Sequence, residues 1–145
     1  MYSTILVPLD GSKRAEQILP HVEELAKRYE ARIVFFRVVE PPSATMEGAA
    51  ITYVDDFEKL KEEAESYLSG LAADFNKKDI QSSSIVENGR VVEAIIRTAE
   101  EEKADLVAIA SHGRGGLSRV FYGSVAASLL NRIDRPLLLV RSRES

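Results

Sequence analysis

Short runs of β-branched and aliphatic residues alternate along this chain with longer stretches in which apolar side chains return every three or four positions. That rhythm marks repeated βαβ units around a parallel sheet. The strand-like runs are Thr4 to Leu9, Arg32 to Val39, Ile80 to Glu87, Asp105 to Ser111 and Pro136 to Arg141. Between the first two, Ala15, Ile18, Leu19, Val22, Leu25, Ala26 and Tyr29 share one helical face. Pro20 falls within that stretch and predicts a kink in the helix. A second helix is expected from about Asp55 to Lys77, with Phe57, Leu60, Ala64, Tyr67, Leu68, Leu71 and Phe75 on its apolar side. Its run of Lys59, Lys61, Glu62, Glu63 and Glu65 reads as a solvated face. Val92, Ile95, Ile96 and Ala99 mark a third helix, and Ala126, Leu129, Leu130 and Ile133 a fourth.

The third run, Ile80-Gln81-Ser82-Ser83-Ser84-Ile85-Val86, is the most polar, which suits a sheet edge where one side meets water. Right-handed crossovers then give an open five-stranded parallel sheet of order 3-2-1-4-5 with helices on both faces, a Rossmann-like α/β fold. Ligands of such sheets bind at the carboxyl ends of the strands, where the winding direction reverses. Here that point lies between strands 1 and 4. The loops there are Asp10-Gly11-Ser12 and Ser111 to Tyr122. A further irregular segment, Glu40 to Val54, leaves the same edge and has the length of a lid or mobile loop.

At 145 residues, 45% of them hydrophobic, the chain is expected to form a single domain spanning residues 1–145. Its net charge of −4 argues against nucleic acid held on a basic surface. The absence of cysteine excludes disulfides, thiolate metal sites and cysteine nucleophiles. The chain enters an apolar strand at once, without an export signal, and its apolar runs are far shorter than the ~20 residues that cross a bilayer. A cytoplasmic protein with no membrane partner is the expectation.

The chemistry concentrates in Ala110-Ser111-His112-Gly113-Arg114-Gly115-Gly116-Leu117-Ser118-Arg119-Val120-Phe121-Tyr122-Gly123-Ser124. Its closely spaced glycines free the backbone and remove β-carbons that would obstruct a ligand. Gly123-Ser124 is expected to open the last helix, whose first amides would form an anion site. Arg114 and Arg119 add cations nearby.

Gly113, nine residues, Gly123 and Ser124 reproduce a glycine spacing of the nucleotide-binding branch of the universal stress proteins, which the chain resembles over essentially its whole length. The likeness includes Ile5-Leu6-Val7-Pro8-Leu9-Asp10-Gly11-Ser12 near the start and Arg135-Pro136-Leu137-Leu138-Leu139-Val140 near the end. The resemblance implies an ATP-binding protein with adenine near Pro8, Leu9 and Val38 and ribose hydroxyls on Asp10. It places the phosphates against Gly113, Gly123, Ser124 and the amide of Val125, with His112 and Arg114 in the same loop. Mg²⁺ would be carried on the phosphates, since it readily keeps water and phosphate ligands. The family pattern has glycine where this chain has Ala110. If that position needed positive φ, alanine would cost about 1–2 kcal/mol.

Blander readings stand beside these. The glycine loop is also a plain connection, Asp10 a helix cap, and His112 a hydrogen-bonding fixture rather than a base. No Walker A sequence, dinucleotide fingerprint or nucleotidyl-transferase histidine motif occurs, which disfavours a dedicated kinase, dehydrogenase or synthetase. The leading expectation is therefore an ATP-binding regulatory protein with at most slow hydrolysis. A nucleotide-independent dimeric interaction protein is the alternative. Both include a homodimer joined through strand 5, whose apolar edge would otherwise be exposed.

Overall fold

The computed structural model describes residues 1–40, 50–111 and 117–141, with residues 50–55 and 117–123 described by their backbone only. Five strands, β1 (Thr4–Pro8), β2 (Arg32–Val39), β3 (Ser82–Asn88), β4 (Leu106–Ser111) and β5 (Leu137–Arg141), form one sheet in the order β3-β2-β1-β4-β5. All four pairings are parallel, with Ile5 opposite both Ile33 and Leu106, and Val107 opposite Leu137. This is the expected doubly wound order.

Side chains alternate across each strand, so the sheet feeds two cores. Ile5, Val7, Ile33, Phe35, Leu106 and Ala108 pack with Ile18, Val22, Leu68 and Phe75 on the face covered by α1 (Leu19–Tyr29) and α2 (Ala50–Asn76). Leu6, Val34, Phe36, Val107 and Ile109 pack with Ile95, Ala99 and Leu129 on the face covered by α3 (Val91–Glu101) and α4 (Leu117–Arg132). Because β1 and β2 are covered on both sides, they read in sequence as continuous apolar runs rather than alternating ones. Among the described residues, no helix is long and apolar enough to cross a membrane.

Four local expectations are corrected. Pro20 kinks nothing: a 3₁₀ turn, Ala15–Ile18, precedes it, and α1 starts at Leu19 with the proline in its first turn. A proline there has no amide to lose and already holds a helical φ. The second helix begins at Ala50, not Asp55. The intervening Ile51-Thr52-Tyr53-Val54 contains neither glycine nor proline to stop it, and only residues 41–49 of the expected irregular segment lie outside the described residues. Strand β3 begins at Ser82 because Asn76 occupies the approach to it. The Asn76 side chain accepts a hydrogen bond from the Ser82 amide at 2.8 Å and donates one to the Ser82 carbonyl at 3.3 Å.

The fourth correction bears on the site. Helix α4 starts at Leu117, so Gly123-Ser124 lie inside it rather than at its head. An interior glycine costs a helix only about 1 kcal/mol, and nothing in Leu117 to Tyr122 breaks it, so the helix runs through.

The amino-terminal edge of the sheet is held by side chains bonded to backbone. The Asp105 carboxylate accepts from the amides of Ser3 at 2.8 Å and Thr4 at 3.0 Å. Arg135 donates to the carbonyls of Ala99 and Ala104, both at 2.9 Å, and Arg32 donates to the carbonyl of Glu102 at 3.1 Å. These carbonyls lie at the end of α3 and just beyond it, where a helix leaves acceptors unsatisfied.

Candidate functional site

At the opposite, carboxyl edge, the chain leaves the neighbouring strands β1 and β4 toward opposite faces of the sheet, and a cavity of about 280 Å³ opens there. Pro8, Leu9 and Asp10 reach it from the end of β1, Phe36 and Val38 from β2, and Ile109, Ala110 and Ser111 from β4. Val91 and Ile95 of α3 and Ser124, Val125 and Ala126 of α4 close the far side, with Ala15 at the margin. The lining is mainly aliphatic, with polar groups at Asp10, Ser111 and Ser124. Its size lies near the lower end of small-molecule sites, which run from about 300 to 1,000 Å³, so it suits a nucleoside rather than a whole nucleoside triphosphate. A wider cleft adjoins it, sharing Val91, Ser124 and Val125 and lined further by Arg90, Ser128 and Arg132. Arg132 is already paired with Glu93 at 3.0 Å.

Asp10 is fixed by its own turn. Its Oδ1 accepts from the Ser12 amide at 2.9 Å and the Ser12 hydroxyl at 2.6 Å, while the Ser12 oxygen accepts from the Ala15 amide at 3.1 Å. Gly11 between them holds φ +88°, a conformation in which an L side chain is strained. The turn thus aims an exposed carboxylate along the cavity rim. Neighbouring atoms strip some solvent from that carboxylate, which works to raise its pKa. The Ser12 hydroxyl and amide and the charge of Arg14 outweigh this, so the group sits below its usual value and is ionised at neutral pH. Capping falls to Ser12, whose oxygen serves the start of the 3₁₀ turn, and Asp10 orients Ser12.

Of the residues singled out from sequence, Pro8, Leu9, Asp10, Val38, Ala110, Ser124 and Val125 all line this one cavity. His112, Gly113 and Arg114 lie outside the described residues, and Gly123 is described only as part of α4. Ala110 is an ordinary strand residue, paired with Val140, and among the described residues only Glu30, Asp79 and Lys103 are non-glycine residues with positive φ. Alanine in the family's glycine position therefore carries no backbone strain; it adds one methyl to the lining. The amides of Ser124 and Val125 fall within the hydrogen-bond ladder of α4, so they are not the free amides of a helix start. Ser124 and Val125 line the cavity all the same.

Sequence reasoning missed Phe36, Ile109, Val91 and Ile95. Each was legible as an apolar residue of a strand or helix face. Nothing in the local pattern distinguishes an apolar residue facing a cavity from one facing the core.

Residues 1–141 match the model of the universal stress protein family. The universal stress protein MJ0577 of Methanocaldococcus jannaschii is 26% identical over 159 aligned positions that span 100% of this chain and 98% of that protein. Its solved structure superposes with a TM-score of 0.83, covering 100% of this chain and 99% of that one. The universal stress protein Sll1654 of Synechocystis is 30% identical, across 97% of this chain and 86% of its own length. A universal stress protein from Archaeoglobus fulgidus, solved in complex with dAMP, is 17% identical with a TM-score of 0.64, covering 97% of this chain and 98% of that one.

Proposed function

The chain belongs to the universal stress protein family, and from that premise we propose that it is a regulatory protein that binds an adenine nucleotide, ATP foremost, with at most slow hydrolysis. The observation that carries this reading is the convergence of residues distant in sequence on one aliphatic cavity rimmed by an ionised carboxylate. An adenine ring would lie among Pro8, Leu9, Val38 and Ile95, a flat apolar body in an aliphatic slot. Ribose hydroxyls would donate to Asp10, whose charge makes such hydrogen bonds stronger than neutral ones. Phosphates would leave past the Ser124 hydroxyl toward the cleft bearing Arg90 and Arg132. The dAMP complex of the Archaeoglobus fulgidus relative supports an adenine nucleotide as the ligand class.

The donor set fits the nucleoside end of ATP. Among the described residues, no group of three His, Asp or Glu side chains is placed to hold a metal ion, so a divalent ion would arrive with the phosphates and neutralise their charge. The protein's own task is to bind and orient, and no residue of the cavity is assigned as a base for hydrolysis. Nucleotide occupancy would instead act by shifting the protein between states, which is the form a regulatory switch takes.

One observation favours a second reading. The side chains of β5 from Leu137 to Val140 are only half-buried, and β5 is an edge strand. An apolar edge of this kind is covered by pairing with another chain, and a homodimer through β5 would do so. The alternative function is then a dimeric interaction protein that needs no nucleotide. Mass spectrometry of the protein denatured after gentle purification separates the two. Released adenine nucleotide, with titratable ATP affinity after stripping, supports the first reading; protein without either supports the second. Sedimentation tests the dimer itself, and ATP turnover above background that disappears on Ser124→Ala would reveal an enzyme.

A further inference from the structure

Side chains alternate along β2, so Val38 lines the cavity while Arg37 belongs to the opposite, α1 and α2, face of the sheet. There the Arg37 guanidinium lies against the turn that presents Asp10. A β-carbon built on Gly11 would come within 2.9 Å of a terminal nitrogen of Arg37 and 3.3 Å of its guanidinium carbon. On the same side, the Tyr67 hydroxyl donates to Glu16, tying α2 to the 3₁₀ turn that follows Ser12. Burial first, then Glu16 and Asp10, hold the Tyr67 phenol protonated far above its usual range, with the charge of Arg37 opposing them. Asp10, Glu16, Arg37 and Tyr67 therefore share one neighbourhood.

Arg37 is half-buried, and among the described residues no hydrogen bond or salt bridge engages it. Direct recognition of an anionic ligand is disfavoured, because Asp10 and Glu16 already supply negative charge around it. Its guanidinium instead lies beside the Gly11 turn, in the space a side chain at that position would enter.

We propose that Arg37 is a positioning residue for the ribose-binding carboxylate, its guanidinium bracing the Gly11 turn from beneath while the Tyr67 to Glu16 hydrogen bond braces the segment that follows. Gly11 is then required by its positive φ, and the guanidinium, the movable end of a long side chain, occupies the space beside it. The inference rests on the reading that Asp10 receives ribose hydroxyls, and it adds that the precision of this contact is set from the far side of the sheet.

Calorimetric titration of ATP and of 2′,3′-dideoxy-ATP into the wild-type protein, Arg37→Met, Asp10→Asn and the double variant tests it, with thermal melts alongside. Arg37→Met is expected to weaken ATP about five- to tenfold and to leave dideoxy-ATP, which has no hydroxyl for Asp10, at wild-type affinity. In the Asp10→Asn background the same change is expected to cost nothing further. Equal weakening of both ligands, additivity of the two substitutions, or no effect on ATP would each overturn the inference. If the wild-type protein binds neither ligand, the nucleotide reading itself fails and takes this inference with it. Should Arg37→Met melt early, Arg37→Gln, which keeps a planar polar end, repeats the test in a folded protein.

Discussion

The two edges of the sheet are built from the same strands but do opposite work. At the amino-terminal edge, Asp105, Arg32 and Arg135 spend their charges on backbone amides and carbonyls of the chain itself. At the carboxyl edge, the chain leaves β1 and β4 toward opposite faces, and Asp10, Ser111 and Ser124 face a cavity. Charge turned inward on backbone stabilises; charge presented to a hollow is available for a ligand. In a parallel sheet this division follows from geometry, since each crossover returns a helix to the amino edge and leaves the strand ends open at the other.

If that contrast is right, substitutions at the amino edge should lower stability and spare binding, and those at the carboxyl edge the reverse. The largest effect is expected from Arg135→Ala, which strips two charge-assisted hydrogen bonds from the carbonyls of Ala99 and Ala104. A loss of about 2–3 kcal/mol in urea denaturation, with unchanged ATP affinity in the folded protein, is the expected outcome. Asp105→Ala should follow at about 1–2 kcal/mol, because water can replace it at exposed Ser3 but less readily at buried Thr4. At the carboxyl edge, Asp10→Ala should weaken ATP about tenfold, equivalent to 1.4 kcal/mol of binding, in a titration at neutral pH. Its melting temperature should fall less than that of either amino-edge variant.

The acid response sharpens the contrast further. The folded pKa of Asp10 lies below its unfolded value of 3.8, so the stability it contributes is complete above that pH and drains away as pH falls through the folded value. Asp10→Asn should therefore remove a small part of the acid sensitivity below about pH 3.8 and leave stability between pH 5 and 8 with the same slope as wild type. The smallest effect belongs to neither edge. Lys27→Ala on α1 breaks an exposed pair with Glu23 at 3.0 Å and should change stability by no more than about 0.5 kcal/mol.

How far the chain could be read in advance divides along similar lines. The strand order was legible because β1, β2 and β4 are continuous apolar runs and β3 is polar, and burial on two faces versus one writes that difference directly into composition. Element starts were less legible because they depend on contacts that no local pattern encodes. Asn76 sets the start of β3 through its side chain, and Pro20 sits at the head of a helix because the residues before it take a tighter turn. At the site, Asp10 and Val38 could be named from motif position. Arg37 could not, since its meaning comes from Gly11, a neighbour only after β1 and β2 have paired.

The reading of the carboxyl edge stands most directly on where a nucleotide sits. A crystal structure of the protein soaked with excess ATP and Mg²⁺ would settle it. Adenine density between Val38 and Ile95, with ribose oxygens within hydrogen-bond distance of Asp10, is the expected result. Ordered ATP bound elsewhere on the chain, with the cavity between β1 and β4 closed by its own side chains, would contradict it.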